Sequence, residues 1–153
     1  MRAMIFAAGL GTRLRPITDA LPKALVPIKG HPLLEIAILR LKVAGCRDII
    51  VNIHHFGQQI IDFLQRNDHF GINILVSDER DLLLDTGGGL KKAAWFLRDE
   101  PFLLTNADAI TNLDLHKFYQ THLKNDALAT LAVRQRESSR YFLFNPAGQL
   151  CGW

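Results

Sequence analysis

The residues best suited to chemistry lie at the N-terminus, in the run Ala7-Ala8-Gly9-Leu10-Gly11-Thr12-Arg13-Leu14-Arg15-Pro16, with Pro22-Lys23 downstream. This run leaves the apolar stretch Ala3–Phe6, which reads as a first β-strand. A glycine-rich turn at a strand end exposes backbone N–H groups that can cradle a phosphate. Thr12 adds a hydroxyl donor, and Arg13 and Lys23 add positive charge. A plain strand-to-loop connection would need only the glycines. The combination with Thr, Arg and Pro-Lys is more specific.

A second run, Asp85-Thr86-Gly87-Gly88-Gly89, precedes a helical pattern that starts near Leu90. Three glycines ahead of a helix let a flat ligand approach bare backbone, with Thr86 as a further donor. The competing reading is a flexible loop with Thr86 as helix N-cap. A third run, Pro101 to Asp108, is an apolar strand ending in Asn106-Ala107-Asp108. A carboxylate at a strand end is often a turn former. Facing a phosphate loop, it is also where Mg²⁺ is held between protein and phosphates. Asp114 is assigned to helix capping. His54 and His55 are adjacent on extended backbone and diverge, and His116 and His122 do not share a helix face well.

Two common nucleotide motifs fail on named residues. A dinucleotide fingerprint needs a third glycine where Leu14 stands, and an acidic residue closing the second strand, which instead runs into His54-His55-Phe56. A P-loop ends in Gly-Lys-Ser/Thr, and none follows Gly9. The Gly-x-Gly-Thr-Arg loop with its downstream Pro-Lys resembles the N-terminal motif of the sugar-1-phosphate nucleotidylyltransferases. Within that family, Asp85-Thr86-Gly87-Gly88-Gly89 is most similar to the version in N-acetylmuramate-1-phosphate uridylyltransferases, although the commoner residue before the Thr is glycine.

The resemblance implies a nucleotidyltransferase (EC 2.7.7 type) that joins a sugar 1-phosphate to a nucleoside triphosphate and releases pyrophosphate. UTP is the favoured nucleotide, ahead of GTP and dTTP, and N-acetylmuramate 1-phosphate the favoured sugar. Implied catalytic residues are Arg13, Lys23 and Asp108, with Asp108 the Mg²⁺ ligand although Ala107 replaces the family's usual Gly. Implied nucleotide contacts are Ala7, Ala8, Gly9, Gly11, Thr12, Arg13, Lys23, Asp85, Thr86, Gly87, Gly88 and Asn106. Two other readings stand beside it, a nicotinamide-dependent Rossmann oxidoreductase and a non-catalytic nucleotide-sensing module.

The elements that must position these runs alternate along the chain. Strand-like segments are Ala3–Ala7, Ile49–Ile53, Ile72–Val76, Phe102–Leu104 and Leu128–Val133; helical patterns cover Pro32–Ala44, Gly57–Asn67, Gly88–Leu97 and Leu115–Leu123. Such alternation predicts an α/β, Rossmann-like, mainly parallel sheet with helices on both faces. Ligands of such sheets bind beyond the carboxyl ends of the strands, where all three runs emerge.

The chain has 153 residues, 48% hydrophobic and 22% charged, with a formal net charge of +3. That is one domain length, and the charge gives little support for nucleic-acid binding. Cys46 and Cys151 lack metal spacing, and neither a signal peptide nor an apolar span is present. A cytoplasmic protein without membrane contact is therefore expected. Tyr141–Phe144, a turn at Asn145-Pro146-Ala147-Gly148 and Gln149–Trp153 read as a hairpin. Because the apolar second strand has just begun, we expect residues 1–153 to be the N-terminal, nucleotide-binding part of a longer domain. Its dangling strand is a candidate for self-association.

Overall fold

The computed structural model describes residues 1–98, 100–135, 137 and 141–152. In chain order its elements are β1 (Arg2–Phe6), β2 (Pro27–Ile28), β3 (His31–Pro32), α1 (Leu33–Val43), β4 (Asp48–Ile53), α2 (Gly57–Arg66), β5 (Asn73–Asp78), α3 (Asp85–Lys92), α4 (Ala94–Leu97), β6 (Phe102–Asn106), α5 (Leu115–Leu123), β7 (Leu143–Phe144) and β8 (Leu150–Gly152). Single helical turns at Thr12–Leu14, Ile17–Asp19 and Lys23–Leu25 shape the long connection after β1.

Four strands form one parallel sheet in the order β5-β4-β1-β6. Parallel strands need crossovers, and the intervening helices supply them while covering both faces. Alternate side chains of β1 therefore enter different cores. Ala3 and Ile5 pack with Leu34, Ile38 and Leu41 of α1 and Ile60 and Leu64 of α2. Met4 packs with Ile50 of β4 and with Ala93, Phe96 and Leu97 on the opposite side. Both faces of β4 are covered, so Ile49–Ile53 is buried throughout and reads as a near-continuous apolar run. Asn52 is the polar exception within it.

Local signals account for several boundaries. α1 ends with Gly45 at φ +100, Cys46 N–H donating to Leu41 O and Gly45 N–H donating to Lys42 O, which satisfies the orphan carbonyls of the last turn. α5 starts at Asp114, whose carboxylate accepts from Lys117 N–H at 2.9 Å.

Two expectations are corrected. Residues 128–133 are not a strand. Thr130 and Val133 favour extended backbone, but strand propensity is realised only against a neighbour. Leu128, Leu131 and Val133 are all exposed and pair with no strand among the described residues. The helix expected from Gly88 begins at Asp85 and breaks at Ala93 into α3 and α4. The hairpin is present as β7 and β8, with Trp153 outside the described residues.

The two thiols are in opposite environments. Burial pushes the Cys46 thiol up to about 11, whereas Cys151 is exposed. An aromatic disulfide reagent at pH 8 should therefore titrate Cys151 alone in the folded chain and both thiols after denaturation. Fast reaction of both under native conditions would contradict the burial of Cys46.

Candidate functional site

In the order β5-β4-β1-β6 the chain reverses direction of sheet growth between β1 and β6, which opens a crevice at their carboxyl ends. A pocket of about 280 Å³ lies there. Ala7, Ala8 and Gly9 border it from the loop after β1, Asp85 and Thr86 from the start of α3, and Asn106 and Asp108 from the end of β6. Arg13 and Lys23 line it as well. A second hollow of about 310 Å³ adjoins it, formed by residues 9–14 with Lys23, so Gly11 and Thr12 face this one. Gly87 and Gly88 line neither.

The loop after β1 is shaped by contacts a larger residue would break. Gly11 has φ +66, and a Cβ there would sit 2.9 Å from Thr18 Cγ2 and 3.0 Å from Lys23 Cβ. The buried Thr18 hydroxyl donates to Gly11 O at 2.9 Å, as does Leu14 N–H. Pro22 enters the next turn with φ −64, and Leu25 N–H closes it onto Pro22 O at 2.8 Å. Ala24 and Leu25 are buried, which anchors Lys23 from behind.

Lys23 Nζ pairs with Asp108 Oδ2, a contact between residues 85 positions apart in sequence. Both side chains are part-exposed, so the pair contributes little to stability. Its significance is positional, because it sets a cation and a carboxylate side by side at the pocket wall. Arg13 is exposed and forms no ion pair among the described residues. On the far side, Arg80 hydrogen bonds hold the Asp78 carboxyl below the usual carboxylate range.

The triple glycine is not a loop. Gly87, Gly88 and Gly89 lie inside α3, and the N-cap position is Leu84, not Thr86. Glycine is a poor helix former, but close packing leaves no room for a side chain at Gly89. A Cβ on Gly89 would lie 2.8 Å from Glu79 Oε1 and 3.0 Å from Asn52 Nδ2. Asp85 has φ +58, a left-handed conformation that glycine adopts freely and Asp tolerates, which explains why glycine suits this position. Its Oδ1 accepts Thr86 N–H at 2.8 Å.

Sequence reasoning missed Asn52 and Glu79, which also line the pocket and are both buried. Asn52 Oδ1 accepts from Ala7 N–H at 2.7 Å, and Asn52 Nδ2 donates to Glu79 Oε1 at 2.9 Å. Glu79 Oε2 accepts from Leu84 N–H at 3.3 Å. A lone Asn inside the apolar run Ile49–Ile53 was the available signal. His54 and His116 serve the fold, with His54 Nδ1 2.6 Å from Glu79 O and His116 Nδ1 3.3 Å from Ala44 O.

No group of three or more His, Cys, Asp or Glu side chains able to hold a metal exists among the described residues. The donor set does fit Mg²⁺, which is commonly held by one or two carboxylates together with substrate phosphates and waters. Asp108 offers one carboxylate, partly exposed, on a pocket wall with Asp85 nearby on the same lining.

A sheet of this order, with a glycine-rich loop, two cationic side chains and a carboxylate at its switch point, defines a doubly wound α/β protein. More particularly, the chain belongs to the nucleotidyl transferase family, whose model matches residues 2–144. It is 42% identical over 121 residues to the N-acetylmuramate alpha-1-phosphate uridylyltransferase of Neisseria meningitidis serogroup B, covering 79% of this chain and 52% of that protein. It is 35% identical over 144 residues to the UTP–glucose-1-phosphate uridylyltransferase of Synechocystis sp., covering 88% of this chain and 37% of that one. Among solved structures, HddC from Yersinia pseudotuberculosis complexed with GMP-PN superimposes with a TM-score of 0.72 at 30% identity, over 82% of this chain and 55% of that one. The chain thus spans about half the length, or less, of these relatives.

Gly11→Ala should lower stability by roughly 2 kcal/mol, from left-handed backbone plus the Thr18 and Lys23 contacts. Urea unfolding would measure it, and an unchanged midpoint would mean that the loop relaxes freely.

Proposed function

We propose that this chain is the N-terminal, nucleotide-binding part of a sugar-1-phosphate nucleotidyltransferase that forms an NDP-sugar. The observation that carries the reading is the convergence of Gly9, Arg13, Lys23, Thr86 and Asp108 on one pocket at the switch point. The names of the relatives add support for the reaction class.

An oxygen of the sugar's anomeric phosphate attacks the α-phosphorus of the triphosphate. The bond from the α-phosphorus to the α,β-bridging oxygen breaks, and pyrophosphate leaves with the electron pair. Such chemistry depends on positioning and charge neutralisation. Arg13, in no ion pair among the described residues, neutralises the β- and γ-phosphates as negative charge builds on the leaving group. Lys23 holds the α-phosphate and the attacking phosphate together, leaving Asp108 to do so. Backbone N–H groups of residues 9–12 and the Thr12 hydroxyl cradle the phosphates. Ala7, Ala8, Asp85, Thr86 and Asn106 flank the nucleoside, while Gly87 and Gly88 act through the backbone of α3. Mg²⁺, held through Asp108, would supply charge neutralisation at the reacting phosphate oxygens.

UTP is the favoured nucleotide and N-acetylmuramate 1-phosphate the favoured sugar, in keeping with the 42% relative. Among the described residues no helix is long and apolar enough to cross a membrane. As the location we propose the cytoplasm, in keeping with a chain of only two cysteines. The exposed β7–β8 ribbon, with Leu143, Phe144 and Leu150 uncovered, is a surface through which copies could associate. No observation favours the oxidoreductase or sensing-module readings.

Calorimetric titration with UTP, GTP, dTTP and NADH, each with and without Mg²⁺, tests the proposal. Mg²⁺-aided binding of one triphosphate is expected, with slow turnover by these 153 residues alone. Preference for NADH would overturn the class. In a form of the protein that turns over, Arg13→Ala and Asp108→Asn should each reduce turnover by about a hundredfold or more. Near-normal rates in either variant would remove that residue from the mechanism.

A further inference from the structure

Strand β1 ends at Phe6, so Ala7 N–H lies one residue beyond the sheet ladder. Buried backbone donors need an acceptor, and Asn52 supplies one from the neighbouring strand at 2.7 Å. That bond fixes the amide's orientation, since an N–H can only face the oxygen. Asn52 Nδ2 is therefore turned away from β1 and meets Glu79 Oε1 at 2.9 Å. The other Glu79 oxygen accepts Leu84 N–H at 3.3 Å, at the entrance to α3. One continuous chain of hydrogen bonds thus runs from the loop after β1, across the pocket floor, to the loop after β5.

The chain is enclosed. Asn52 is 2% exposed and Glu79 1%. Gly89 seals it from the α3 side, where a single methyl would press on Glu79 Oε1 and Asn52 Nδ2. Glu79 belongs to none of the ion pairs among the described residues. A buried carboxylate without a cation is costly to keep, and its removal leaves both partner donors unsatisfied. An apolar pair could fill the same space without that cost.

We propose that Asn52 and Glu79 are positioning residues that fix the width of the pocket between Ala7 and Leu84, and so set nucleotide affinity from beneath the ligand. This rests on the nucleotide-binding reading above. Neither residue needs to touch a reacting atom. Reach is what matters: a side chain at 79 must span from the Asn52 amide to the Leu84 N–H.

The test is calorimetry on the full chain, using whichever of UTP, GTP and dTTP the wild type binds most tightly with Mg²⁺, alongside thermal melts. Glu79→Asp keeps the charge but is one methylene too short; Glu79→Gln keeps the length and the acceptor for Asn52. Glu79→Asp and Asn52→Ala should each raise Kd about tenfold in protein that still melts cooperatively, with Glu79→Gln falling between them and wild type, because it accepts from Asn52 Nδ2 but not from Leu84 N–H. Their double variant should be no worse than the poorer single, because both act through one chain of bonds. Should Asn52→Ala fail to fold, Gly89→Ala displaces the pair without deleting either member and should raise Kd similarly. A merely structural pair would lower the melting temperature and leave Kd of the folded protein within about twofold of wild type, which overturns the inference. So would Glu79→Asp binding as well as wild type. Failure of the wild type to bind any triphosphate is a different result, which removes the nucleotide reading itself.

Discussion

The arrangement of this molecule depends on β1 being hydrogen-bonded along its whole length on both sides. Residues 2–6 run level with residues 48–52 on one flank and 102–106 on the other. Parallel register of this kind brings the carboxyl ends of three strands to one height. Phe6 stands opposite Asn52 and Asn106, and the loops that follow begin from a common line. Without that alignment Lys23 and Asp108 would have no reason to meet.

The same alignment creates a local difficulty. Past the last ladder bond, backbone donors remain in a region too buried for water to serve them. Ala107 N–H finds Phe6 O at 3.0 Å, whereas Ala7 N–H must rely on a side chain. The polar pair under the pocket is the solution adopted, and it makes a glycine obligatory on the helix above. Composition of α3, the strand-interior Asn and the buried Glu are therefore one problem solved in three places.

Much of this is legible in the sequence. The alternation of apolar runs with helical patterns gave the parallel sheet, because residues buried on both faces cannot be mistaken for amphipathic ones. Asp114 and Gly45 marked helix ends, since capping chemistry is local and needs no tertiary knowledge. The loop after β1 was legible because its residue types combine rarely. Less was readable where neighbours decide. Residues 128–133 have the composition of a strand and lack a partner to pair with among the described residues. Gly87, Gly88 and Gly89 spell a loop by propensity but lie inside α3, where Gly89 packs against Asn52 and Glu79 and Gly88 against Leu84. Glu79 itself, one acidic residue among several in Asp78–Asp81, carries no sign in the sequence that it is buried.

The position of β1 in the sheet also has a consequence for chain growth. Of the four strands of this sheet, β1 is synthesised first and ends between two others, and its second neighbour, β6, is complete only at residue 106. For the whole interval one flank of an apolar strand is without its mate. Closing such long-range parallel pairings is slow, because loop entropy is lost before contacts compensate for it. Asp108 follows two residues behind β6, so the carboxylate reaches the pocket only after β6 docks. The site thus gains its carboxylate only once β6 has docked, and a chain stalled before residue 106 would carry the glycine-rich loop without Asp108 opposite it.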